Sequence, residues 1–201
     1  MTRSISSPKF WDDIYRNNKV GWDLRSPTPV FMRILKEKKI IQSGKILILG
    51  SGYGYDAIEA ARKGFDVTAV DFSDKANLFA QKMADDANLE IEFITTDFFN
   101  LTDQYSSKFD VIYDYVTFCA IEPVRREEYV ELLKKLLKTG GKFIALLFPV
   151  ENREGGPPFG INLENTKIIF TKHLKLLSSS VEIDTIKPRK GREVLQIYRK
   201  D

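Results

Sequence analysis

The chain has 201 residues, of which 43% are hydrophobic and 29% charged, and its formal net charge is +3. That length suits one domain with a substantial core, and so small a charge gives no electrostatic reason to expect a nucleic acid or a membrane as partner. The single Cys119 excludes an intrachain disulfide, and with His173 as the one histidine no Cys/His metal site is expected.

No apolar run is long enough to span a bilayer, and the first residues, MTRSISSPKF, lack the apolar core of a signal peptide. A cytoplasmic protein is therefore expected. No internal repeat or low-complexity linker interrupts the chain. In order, helical signals lie at residues 8–17 and 29–37, a strand at 45–49, a helix at 56–63, a strand at 66–70 and a helix at 73–86 that Ser73 opens as N-cap. Strands follow at 91–95 and 109–113, a helix at 125–138 that Gly140 should stop, a strand at 142–148, a helix at 165–173, and strands at 175–186 and 193–198. Alternating strands and helices predict a mostly parallel α/β sheet with helices on both faces. The last two strands read as a hairpin, hence one antiparallel strand among seven. Lys187, Arg189, Lys190 and Arg192, around Pro188 and Gly191, read as its solvated turn.

The most informative run is ILILGSGYGYDAIEAARKGFDVTAVD, residues 46–71. A buried-strand pattern enters Gly50-Ser51-Gly52-Tyr53-Gly54, a helix follows, and a second strand ends in Asp71. Glycines let the backbone turn tightly and approach a ligand, and a carboxylate about 20 residues later accepts the hydroxyls of a ribose. The unit predicts a nucleoside-containing cofactor. Dinucleotide binders space their glycines G-x-G-x-x-G, but Tyr55 occupies the last of those positions. The G-x-G-x-G form resembles the first motif of class I S-adenosylmethionine-dependent methyltransferases, which makes S-adenosyl-L-methionine the expected cofactor.

In open sheets of this kind the ligand sits at the carboxyl ends of the strands. Those ends offer Gly50 and Gly52, then Asp71 with Phe72, then Asp97 with Phe98, then Asp114 with Tyr115. Asp71 is the candidate for the ribose, Asp97 for the adenine amino group, Phe98 for stacking on the ring, and Asp114-Tyr115 for the neighbourhood of the reacting sulfonium. An Asp after a strand is equally a common turn or cap residue, and Phe98 or Phe99 fits a core position as well. Three acids at three successive strand tips favour a site.

Further motifs make the resemblance specific. Trp22-Asp23 with Thr28-Pro29, the Gly50–Gly54 loop, Val70-Asp71-Phe72-Ser73, residues 109–115 (FDVIYDY), residues 118–123 (FCAIEP), residues 155–159 (GGPPF) and Lys190-Gly191-Arg192-Glu193 are together similar to the thiopurine methyltransferase-like family, and within it to thiol and halide methyltransferases. The resemblance runs from about Phe10 to the end. It implies a Rossmann-like class I methyltransferase fold, a single domain over residues 1–201, and an N-terminal helical cap over residues 1–40. In such a cap Trp11, Tyr15 and Trp22 line the cofactor pocket, where aromatic faces suit a sulfonium cation. Trp11 alone serves equally as a hydrophobic staple. Two departures bear on the acceptor: Asn152-Arg153-Glu154 stands where family members often carry a histidine, and the segment after Phe159 is short.

The expected reaction is methyl transfer to a small soft nucleophile: a thiol, hydrosulfide or halide. The alternatives are another small molecule, such as a thiopurine or a metalloid compound, or a non-catalytic regulator that binds the cofactor. Tyr115 and Arg153 are the catalytic candidates, as a hydroxyl and a cation near the attacking atom. An amino-methyltransferase acting on nucleic acid would want Asn or Asp followed by Pro-Pro and an aromatic after the fourth strand, and Asp114-Tyr115-Val116-Thr117 lies there instead. The expected partner is a small-molecule methyl acceptor, with neither nucleic acid nor membrane, on a monomer or weak homodimer.

Overall fold

The computed structural model describes residues 5–101 and 103–201, so the first four residues of the expected cap lie outside the described residues. The chain divides into two compact units, Met1–Leu101 and Thr102–Asp201.

The first unit opens with two helices, α1 (Pro8–Arg16) and α2 (Pro29–Glu37), each with proline in its first turn, where a missing N–H costs nothing. Then come β1 (Lys45–Leu49), α3 (Tyr55–Arg62), β2 (Asp66–Asp71), α4 (Asp74–Asp86) and β3 (Glu92–Thr95). The strands pair in parallel, ordered β3-β2-β1. Residues 46–49 are all buried, as is β2 after Asp66, which is why these strands read as continuous apolar runs. Ser73 caps α4 as expected, accepting from the Ala76 N–H.

The second unit holds β4 (Phe109–Tyr115), α5 (Arg126–Leu136), β5 (Leu137–Leu147), α6 (Leu163–Thr171), β6 (Lys175–Ser180) and β7 (Val194–Arg199). Its strands are ordered β4-β5-β7-β6. β4 and β5 are parallel, and β7 runs antiparallel to β5 and β6, so the expected late antiparallel strand is present. Its core is aromatic: Phe143 stacks on Phe170 at 5.4 Å between centroids, and Phe170 on Tyr198 at 4.9 Å. Seven strands with helices around them form the expected α/β architecture. Among the described residues no helix is long and apolar enough to cross a membrane.

Three expectations need correction. The strand expected at 175–186 ends at Ser180, because its partner begins at Val194 and the ladder closes at Ser180↔Leu195; beyond it no strand is available to pair. Gly140 does not stop a helix. α5 ends at Leu136 and the chain passes straight into β5, where Gly140 takes φ 79° and donates its N–H to the Lys200 carbonyl. The basic segment 187–192 does join the antiparallel β6 and β7, with Lys187 and Lys190 exposed, but Arg189 is not solvated: it is 5% exposed.

Candidate active site

In the first unit the glycine turn and the tip of β2 close on each other. Gly50, Gly52 and Gly54 take φ values of 59°, 54° and 77°, all in the left-handed region where a side chain is strained. A Cβ on Gly54 would lie 2.6 Å from the Ala80 Cβ, so this third glycine serves the close approach of α4. A Cβ on Gly52 would sit 3.0 Å from the Tyr15 hydroxyl, which places the α1 tyrosine directly over the turn. Asp71 binds the turn from below: one carboxylate oxygen accepts the Gly52 N–H at 2.8 Å and the other the Ser73 N–H at 2.8 Å.

The aromatics of the opening segment gather over this turn. Trp22 lies 5.7 Å from Trp11 and 5.8 Å from Tyr15, and Tyr15 lies 5.2 Å from Tyr53, a ring the sequence reading did not single out. Trp22 hydrogen-bonds the Tyr15 hydroxyl, and the Trp11 indole N–H donates to the Ile5 carbonyl. Burial, with the Asp71 charge second, holds the Tyr15 phenol well above its usual pKa, so it stays neutral. The segment is fastened to α4 and α3. The Ser73 hydroxyl donates to Asp12 at 2.6 Å, Lys75 Nζ reaches the Tyr15 carbonyl at 3.0 Å, and Asp56 accepts both the N–H and the O–H of Thr28. At the next strand tip Asp97 accepts from the Phe99 N–H, Phe98 is buried at 6.5 Å from Phe72, and Phe99 packs on Phe98 at 4.8 Å.

The second unit builds its own cluster at the end of β4. Asp114 is buried; one of its oxygens accepts the N–H groups of Thr117 and Phe118, the other the Tyr129 hydroxyl at 2.6 Å. Beside it the Tyr115 hydroxyl accepts from Arg189. The Arg189 guanidinium also lies over the rings of Tyr115 and Phe148, at 4.9 and 5.0 Å, and pairs with Glu193 at 3.5 Å. Thr185 donates to Glu193 in turn. Arg153 sits on the exposed loop after β5, 3.7 Å from Glu151. The structure thus brings Tyr115 together with Arg189, a cation the sequence reading dismissed as surface. The signal lay in its spacing: an acid four residues later, at the mouth of a buried strand, is a partner for a buried cation.

The first unit fits a nucleoside-bearing sulfonium. Its turn presents backbone without side chains at Gly50 and Gly52, its carboxylate is desolvated, and its rings offer faces for a cation. The buried Ser51 hydroxyl, within the glycine turn, has no hydrogen-bond partner among the described residues. S-adenosylmethionine supplies a methyl group already activated by positive sulfur.

Asp56, Asp71 and Asp114 share one electrostatic state. Burial pushes each carboxyl up to about 6, against the hydrogen bonds each accepts. A carboxyl raised on folding favours the folded state when protonated. That stabilisation is complete below pH ~4, the unfolded value, and is lost as pH rises through about 6. Each shift corresponds to the order of 2–3 kcal/mol. Asp103 and Glu151 are shifted the other way by Lys135 and Arg192, but both are solvent-screened. The ligand-free protein is therefore expected to melt higher at pH 5 than at pH 7.5; an equal or lower melting temperature at pH 5 contradicts this account.

Comparison with known proteins agrees with the geometry. The sequence profile of the family described as Thiopurine S-methyltransferase (TPMT) matches residues 6–200. "Probable thiol methyltransferase 2" of Arabidopsis thaliana is 34% identical over 200 residues, covering 98% of this chain and 87% of that one. "Thiocyanate methyltransferase 1" of Brassica oleracea is 29% identical over 196 residues, covering 94% and 84%. In fold the chain is similar to the Burkholderia thailandensis 1,6-didemethyltoxoflavin-N1-methyltransferase, solved with S-adenosylhomocysteine, at a TM-score of 0.74 and 18% identity over 96% and 86% of the two chains. An enzyme that uses S-adenosylmethionine, this chain belongs to the thiopurine S-methyltransferase family.

Proposed function

We propose that the protein methylates a small, soft nucleophile, a thiol or hydrosulfide first and a halide such as iodide second, and that residues 1–201 act as one catalytic domain with residues 1–40 as its cap. Support for the single domain comes from one family profile running through residues 6–200. Support for the acceptor comes from relatives named for thiol and thiocyanate. The observation that carries the reading is the Tyr115–Arg189 pair. A guanidinium lying over two aromatic rings and bonded to a phenol offers an anion a fixed cation, its charge partly offset by Glu193 at 3.5 Å.

Each residue then has a task. Gly50, Gly52 and Asp71 hold the nucleoside, with Phe72, Asp97 and Phe98 around the adenine. Trp11, Tyr15 and Trp22 cover the sulfonium and exclude water. Tyr115 and Arg189 orient and stabilise the attacking anion. A thiol with pKa near ~8.5 is already partly thiolate at neutral pH, and a halide needs no deprotonation, so no general base is required. The partner is a small molecule, the location cytoplasmic, and the assembly a monomer or weak homodimer.

Release of S-adenosylhomocysteine across thiols, hydrosulfide, halides and thiopurines tests this. At low thiol concentration the rate is expected to climb with pH up to the acceptor's own pKa, and Tyr115→Phe is expected to slow it while cofactor binding persists. A flat pH profile, or turnover confined to oxygen, nitrogen or nucleic-acid acceptors, sinks the assignment.

A further inference from the structure

Val116 follows Tyr115 directly and takes φ 55°. Among the described residues the other non-glycine positions at positive φ, namely Asn18, Arg25, Lys38, Asn88 and Ser107, are unbranched at Cβ. A β-branched side chain in the left-handed region is strained and persists only where its surroundings over-determine it. The surroundings here are specific. Asp114, two residues earlier, receives the N–H groups of Thr117 and Phe118, so one carboxylate spans the strained residue. Tyr129, on α5, donates its hydroxyl to the other oxygen and fixes the carboxylate's orientation. The Cys119 thiol donates to the Val116 carbonyl at 3.0 Å. The same short turn delivers two contacts: the Tyr115 hydroxyl to Arg189, and the Cys119 carbonyl to the Phe159 N–H at 2.7 Å, which docks the Gly-Gly-Pro-Pro-Phe loop.

We infer that Asp114 and Tyr129 are positioning residues that hold the Val116 turn in its strained form, and that this form sets Tyr115 and the Phe159 loop for the methyl acceptor. The inference rests on the acceptor reading above and adds the device that orients it. A relaxed turn would swing the peptide between Tyr115 and Thr117, moving the phenol away from Arg189 and the Cys119 carbonyl away from the loop together. The clamp needs no contact with the cofactor, so its loss should register in acceptor turnover and not in cofactor affinity.

Val116→Gly and Val116→Ala separate strain from packing. Both remove the side chain, but glycine adopts a positive φ freely and alanine does not. The glycine variant is expected to melt about 2–4 °C above the alanine variant, the size of effect a single strained residue produces in a chain of this length. At saturating acceptor it is expected to stay within about twofold of the unaltered protein, because glycine holds the same positive φ and the Asp114 clamp is intact. Tyr129→Phe, which deletes one hydroxyl of the clamp, should lower kcat about tenfold, with the Kd for S-adenosylhomocysteine within about twofold, and Val116→Gly added to it should recover most of that loss. Should Tyr129→Phe not fold, the Val116 pair still decides. A glycine variant that melts no higher than the alanine variant, or a folded Tyr129→Phe variant that keeps full kcat, overturns the inference. The unaltered protein's own activity keeps the two readings apart. If it turns over thiols while Tyr129→Phe matches it, only the clamp fails; if it turns over a different acceptor, the acceptor reading fails and the variants are compared on that acceptor.

Discussion

Asp71→Ala is expected to raise the Kd for S-adenosylhomocysteine by about 10- to 150-fold at neutral pH, the ~1.5–3 kcal/mol carried by a hydrogen bond to a charged group. The expectation follows from where the carboxylate sits. It is buried at the tip of β2 and holds the Gly52 N–H, so removing it loses the ribose acceptor and frees the turn that cradles the nucleoside. The Gly52 and Ser73 N–H groups would be left unpaired, adding a stability cost of about 1–3 kcal/mol. The pH dependence distinguishes this from general damage. Burial pushes Asp71 up to about 6, so the free protein gains a proton there as pH falls, and a protonated carboxyl is a poorer acceptor for ribose hydroxyls. Affinity in the unaltered protein should therefore weaken below pH 6, and calorimetry near pH 6 in buffers of different ionisation enthalpy should detect proton release on binding. The alanine variant should show neither effect. An unchanged Kd in that variant moves the ribose contact elsewhere. Trp22→Ala, assayed with S-adenosylmethionine itself, is expected to weaken binding roughly tenfold if the ring meets the sulfonium or the adenosine.

What was legible in the sequence follows the range of the forces involved. The strand–turn–helix–strand unit at 46–71 is local: its apolar runs, its three glycines and Asp71 are set by backbone sterics and burial within 26 residues, and the structure places them together at one turn. The cap aromatics were named through resemblance; their rings pack on one another, with the Tyr15 hydroxyl at Gly52. The second unit was less legible because its decisive contacts join distant segments. Arg189 meets Tyr115 across 74 positions, and Asp114 meets Tyr129 across 15 through a helix face that composition describes only as apolar. A basic stretch around Pro188 and Gly191 carries the signature of a solvated turn, and only the acid four residues on, Glu193, hints that one of its four cations, Arg189, is folded inward against two rings. The strand expected at 175–186 failed for a related reason. Alternation at Val181 and Ile183 marks strand propensity, but a ladder extends only as far as its partner, and β7 begins at Val194.

Arg189→Met is expected to have the largest effect on chemistry, lowering kcat/KM for thiols by about 10²–10³-fold, the usual loss on removing one preorganised charge from a site. Methionine keeps similar volume, so the Tyr115 and Phe148 rings retain a neighbour while the positive charge disappears. The single variant carries a confounding cost. Glu193 is 4% exposed, and removing its cation leaves a buried carboxylate held by Thr185, which typically destabilises by about 3–5 kcal/mol. Arg189→Met combined with Glu193→Gln removes both charges and should recover most of the melting temperature. Turnover should stay low in the double variant, because stability returns and the field at Tyr115 does not. Recovery of turnover together with stability would reduce Arg189 to a structural ion pair. Arg189→Lys adds a graded test: an ammonium restores charge but not the planar fork that stacks between the rings, so partial turnover is expected. The same measurement on Arg153→Ala decides between the two arginines. The Arg153 guanidinium lies on an exposed loop beside Glu151, where water already screens its charge. A loss of thiol turnover confined to the Arg153 variant would return the anion-stabilising role to that loop.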